Sequence, residues 1–118
     1  MISLKEGIKM SRKQLALRLL NAVWNENESE VLFCLKQGAN PSWIFNGFPI
    51  LMHAICTQNQ KIIELLIDAG AKQTPEAFGF ALEHGYESVI QPLAERGIIP
   101  KNFQSKKGFG EFPQRFAY

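Results

Sequence analysis

The chain has 118 residues, which suits one domain with a real core but not two. Hydrophobic residues make up 46% and charged residues 20%, an ordinary globular balance that argues against a disordered chain, and no apolar run approaches the ~20 residues of a membrane-spanning helix. The net charge of +2 hides a pattern: residues 1–14 and 98–118 are both basic, whereas 15–97 holds five basic and nine acidic residues.

The first stretch, 1–14, alternates apolar and basic residues and lacks the apolar core of a signal peptide, so a cytoplasmic protein is expected. Its Ile2, Leu4, Ile8 and Met10 are expected to cover one end of the helical body, which begins near residue 15. Helices are expected there at about 15–24 and 28–37. Asn27 with Glu30 three residues later predicts a capping box at the second start. A second pair is expected at about 49–57 and 60–69, where "KIIELLIDAG" is too apolar for a solvated helix and must lie between neighbours. A third pair is expected at about 75–83 and 87–96, with Thr74 as N-cap and Pro75 in the first helical position. Pro92 should remove a backbone bond to Ser88 and kink or shorten the last helix. Prolines and glycines keep 98–118 from forming a long helix.

The pairs share one frame. Gly38, Gly70 and Gly97 follow apolar helix ends and fit the left-handed position that closes a helix. Ala22, Ala54 and Ala81 each lie sixteen residues before them, and Asn27, Asn59 and Tyr86 eleven before them. The three small alanines let paired helices approach closely.

In this frame the sequence resembles the ankyrin repeat. The middle unit, "GFPILMHAICTQNQKIIELLIDAGA", has Gly47, Leu51, Ala54, Asn59, Ile62, Ile63, Leu65, Leu66, Gly70 and Ala71 in register with the family signature. The first unit keeps Ala22, Asn27, Val31, Leu35, Gly38 and Ala39, and the third keeps Ala81, Gly85, Val89, Ile90, Leu93 and Gly97. The family's Thr-Pro-Leu-His becomes Pro49, Ile50, Leu51 and Met52, so the hydrogen bonds of that motif are absent. The second and third glycines are only 27 residues apart, against 32 for the first and second, which predicts a trimmed hairpin between units two and three. The resemblance implies an all-α ankyrin-repeat solenoid of three helix-turn-helix units, about 15–46, 47–73 and 74–97. Segment 1–14 and an irregular third unit would serve as adapted caps, and 98–118 would be an extended aromatic and basic tail.

Chemistry is the weaker reading. His53 lies in an apolar run and is expected to be structural. Cys34 and Cys56 lack a Cys-x-x-Cys pairing and read as reduced apolar fillers. A metal site would need His53, Cys56, His84 and Cys34 to converge, and Cys34 faces elsewhere, so no metal and no cofactor are expected. Cys56 with His84 is the one nucleophile–base candidate, and nothing completes the site; no enzyme is expected, and a cysteine- or metal-dependent catalyst is the remote alternative.

The resemblance implies protein recognition instead, by a small adaptor or inhibitor. Its surface would be the hairpin tips and the exposed ends of the first helices. Carried over by position, that is Trp24, Asn25, Trp43, Phe45, Phe48, Cys56, Thr57, Glu83 and His84. Trp43 and Phe45 would be apolar anchors, with Ile44 between them in the hairpin "NPSWIFNGF"; Asn25, Thr57 and Glu83 would supply orienting hydrogen bonds. Trp24 has a second reading as a core residue. The five aromatic residues of the tail would pack back on the array, bind a partner, or stack on bases beside its lysines, which makes a nucleic-acid-associated protein the alternative. Uncovered ends would bring self-association.

Overall fold

A computed structural model describes residues 10–101. The expected capping roles of Ile2, Leu4 and Ile8, and the aromatic residues of the tail, lie outside the described residues.

The described chain is mostly helical. Three helices, α1 (Arg12–Trp24), α3 (Ile50–Thr57) and α5 (Thr74–His84), pack side by side in one layer. Their partners, α2 (Glu28–Lys36), α4 (Gln60–Asp68) and α6 (Glu87–Glu95), form the second. Each pair is antiparallel by its short turn, and the core lies between the layers around Leu19, Leu20, Leu51, Ile55, Ile62 and Leu66, all wholly buried. Among the described residues no helix is long and apolar enough to cross a membrane.

Local chemistry sets the helix ends. Asn27 and Asn59 accept the backbone N–H groups of Glu30 and Ile62 at 3.1 Å, relieving donors that lack an intrahelical partner. The expected capping box at Asn27 is only half made. Glu30 does not reach back to the cap; its carboxylate pairs with Arg18 and accepts the Cys34 thiol. The full box belongs to Ser11 and Gln14, and α1 therefore starts at Arg12, three residues before the expected position. Thr74 is likewise not the N-cap of α5. Gln73 takes that place with φ 63° and no side-chain cap bond, and Pro75 sits in the first turn.

Gly38 and Gly70, both at φ 98°, end α2 and α4 as expected. The next N–H groups along the chain, of Ala39 and Ala71, return to the carbonyls of Cys34 and Leu66 at 3.0 Å. Between the helices of a pair the left-handed residue is Glu26, Gln58 or Gly85. For the two non-glycines this conformation costs about 1 kcal/mol. Both engage the next pair: Glu26 accepts from the Asn59 amide at 3.2 Å, and Gln58 accepts from the Ser88 hydroxyl at 3.0 Å.

The first and second pairs are joined by a hairpin, β1 (Ile44–Phe45) against β2 (Phe48–Pro49). Its turn residues, Asn46 and Gly47, both have positive φ, the geometry whose twist matches paired strands. The second and third pairs are joined by only the five residues 69–73, without a hairpin, the trimmed connection that the spacing predicted. The Lys72 N–H donates to the Ser42 hydroxyl at 2.9 Å, tying this turn to the hairpin base.

Pro92 does not shorten its helix. α6 has nine residues, as α2 and α4 do. The Ser88 carbonyl that Pro92 cannot serve accepts the Gln60 amide at 2.6 Å, from the start of α4. The lost backbone bond is thus replaced across the pair interface. A double-mutant cycle tests this: Gln60→Ala should cost about 1 kcal/mol in the native chain and close to nothing beside Pro92→Ala, where the backbone serves Ser88 itself. Equal costs in both backgrounds, measured by urea denaturation, would contradict the replacement.

Candidate functional site

His53 stands in the middle of α3 and is wholly buried. The Trp24 indole N–H donates to its Nδ1 at 3.2 Å, with the two rings nearly perpendicular. Because Nδ1 accepts, the proton of the neutral ring is on Nε2, which donates to the Phe45 carbonyl at 3.0 Å. Burial holds the imidazole below its ordinary pKa, and the backbone carbonyls of Phe45 and Phe48 oppose that shift in part. Both ring nitrogens are engaged, and they join α1, α3 and the hairpin. This is a structural histidine: its lone pair faces the indole N–H and has no room to bind a metal.

The thiols are equally quiet. Burial pushes Cys34 up to about 11, and Glu30 adds to the shift. Burial pushes Cys56 up to about 12, with a hydrogen bond to the Tyr86 hydroxyl acting the other way. Tyr86 is raised too, first by its own burial. At neutral pH both cysteines are therefore thiols, and the thiolate is the nucleophile. Cys56 is hydrogen-bonded to Tyr86. Among the described residues no group of three or more His, Cys, Asp or Glu could hold a metal ion.

The residues assigned to recognition divide by exposure. Asn25, just after α1, and Glu83, in the last turn of α5, are exposed. Thr57 is half-buried, and its hydroxyl donates to the Ala54 carbonyl at 2.8 Å and accepts the Asn59 N–H at 3.3 Å, so it serves the turn. His84 is half-buried against Phe80, ring centroids 4.2 Å apart, and its Nδ1–H donates to the Phe80 carbonyl at 2.9 Å. Tyr86 stacks on the imidazole at 5.6 Å and meets Phe80 edge-on at 6.2 Å, so the three rings form one cluster. Cys56 and Trp24 are also half-buried and pack against the core, which favours the second reading of Trp24.

Phe48 corrects the expectation. It is 4% exposed and packs toward Phe80, so it fills the core and presents nothing to a partner. Both residues of β2, Phe48 and Pro49, are buried, so the strand as a whole faces the core. Alternation appears only in the first strand. Trp43 and Phe45 turn inward, half-buried and stacked at 6.5 Å, whereas Ile44 between them is 54% exposed. Ile44 is the outward-facing apolar residue of the hairpin, and the positions carried over from the family did not include it. An Asn-Gly turn in the sequence fixes the register of the hairpin, which pairs Ile44 with Pro49 and Phe45 with Phe48.

The exposed part of the expected surface is thus the hairpin tip at Ile44, backed by Trp43 and Phe45, together with the first-helix ends at Asn25 and Glu83. No protein-family model matches this sequence. No curated protein matches it either.

Proposed function

We propose that this chain is an ankyrin-type array of three units that binds a protein partner, as a small adaptor or inhibitor. The reading rests on the sequence frame, on three helix pairs packed in two layers, and on a hairpin between the first two. The observation that carries it is Ile44, more than half exposed at the hairpin tip and braced by the Trp43–Phe45 stack. A large apolar side chain held out on a rigid support is the form of an interface anchor. Asn25 and Glu83 then orient the partner at the edge of the face. On this reading the protein acts by occupancy and catalyses nothing. Two free cysteines suit a reducing compartment such as the cytoplasm.

Trp43 and Phe45 brace the hairpin, so truncating them would damage the fold together with the face. Ile44→Glu is the cleaner variant, because the side chain is exposed and its loss costs within about 0.5 kcal/mol of stability. Affinity capture from host lysate, with both proteins first checked by circular dichroism, should yield a protein partner that the variant loses by at least about tenfold. A partner retained in full by Ile44→Glu, or capture of nucleic acid that falls steeply with salt, would overturn the reading.

A further inference from the structure

In a stacked array each pair buries a face against the next. The shared frame gives the corresponding positions in the third pair. Leu82 stands where the earlier pairs have Val23 and Ile55, and both of those are wholly buried. Leu82 is 45% exposed. Ile90 stands where the earlier pairs have Val31 and Ile63, which are 0% and 2% exposed, and it is only half-buried. The outer face of α5 and α6 is therefore an apolar interior surface without its cover among the described residues.

The chain itself returns to this face. After α6 it doubles back, and the Lys101 N–H donates to the Pro75 carbonyl at 2.8 Å. A Cβ at Gly79 would stand 2.0 Å from the Lys101 carbonyl oxygen, so the approach requires glycine there. In the earlier pairs the same position holds Leu20 and Met52. Pro75, Gly79 and Leu82 are spaced i, i+4, i+7 along one stripe of α5. Lys101 lies at its beginning, and Leu82 is about 10 Å further along.

Seventeen residues come after Lys101, enough to reach about 55 Å when extended. They include five aromatic residues, and three basic against one acidic. α5 and α6 carry Glu76, Glu83, Glu87 and Glu95 and neither lysine nor arginine. Apolar content, charge and point of entry all match. We propose that residues 102–118 lie across the outer face of α5 and α6, as an intramolecular cap where a further helix pair would otherwise stack.

Hydrogen exchange of the full chain, monitored by mass spectrometry at two protein concentrations, tests this. Amides of 102–118 should exchange at least about tenfold more slowly than in an unstructured peptide, equally at both concentrations. Leu82→Glu, at an exposed position, should return the tail to unstructured rates and leave α1 to α4 unchanged. Phe109→Ser with Phe112→Ser should speed exchange in α5 and α6. The proposal is overturned if the tail already exchanges at unstructured rates. Indifference of its protection to Leu82→Glu overturns it too, as does protection that appears only at the higher concentration, where a second copy would be the cover.

Discussion

Replacing His53 by alanine should lower the unfolding free energy by about 3 kcal/mol. The change leaves a void in a fully buried site and removes a partner from both the Trp24 N–H and the Phe45 carbonyl. His53→Gln, which still carries a donor and an acceptor, should recover part of the loss; an equal loss in both variants would mean that volume alone matters. The same residue makes stability depend on pH. Its folded pKa lies below the ordinary value, so in the window between the two the unfolded chain binds a proton that the folded chain does not. Stability is complete above about pH 6.5 and falls as pH drops through that window, by about 1.4 kcal/mol per pH unit at most. Glu30, lowered first by its hydrogen bond with Arg18, adds its own loss only at more acid pH. Urea denaturation at pH 7.5, 6.5 and 5.5 should show the decline in the native chain and not in His53→Gln. A flat profile in the native chain would refute the assignment.

Leu51→Ala should cost about 3 kcal/mol, and Leu51→Met less than about 1.5. Leu51 is wholly buried in α3, which is packed against α1, α4, α5 and β2. With neighbours on several sides the site has little freedom to collapse onto the void. Small domains are stable by only about 5–15 kcal/mol, so this one side chain governs a large share of the total. The loss should appear as a lower denaturant midpoint with an unchanged slope. A cost near 1 kcal/mol would mean that α3 relaxes like an outer helix and that the centre of the array lies elsewhere.

The proposed interaction face was half legible. The resemblance led to the hairpin and to the first-helix ends, and Trp43, Phe45, Asn25 and Glu83 do lie there. It assigned Phe48 to the surface and passed over Ile44, because positions taken over from a family carry no information about which way a particular strand faces. The Asn46–Gly47 turn sets the pairing of Phe45 with Phe48, and packing against the helices decides which of the paired residues are covered.

The helices and their ends could be read from the chain because their causes are local. Asn27 and Asn59 cap donors three residues away, Gly38 and Gly70 close helices that they directly succeed, and the apolar spacing of 62–67 is a property of one helix. Non-local contacts decided the rest. Glu30 turns from its own cap to Arg18, twelve residues back on a neighbouring helix. Pro92 is tolerated because Gln60, on another helix, takes the carbonyl it leaves. His53 is a neutral strut and not a ligand because Trp24 and Phe45 converge on its two nitrogens from different elements. The energy of a cap depends on residues a few bonds apart. The partner of a buried polar group depends on which distant segments the folded core brings beside it.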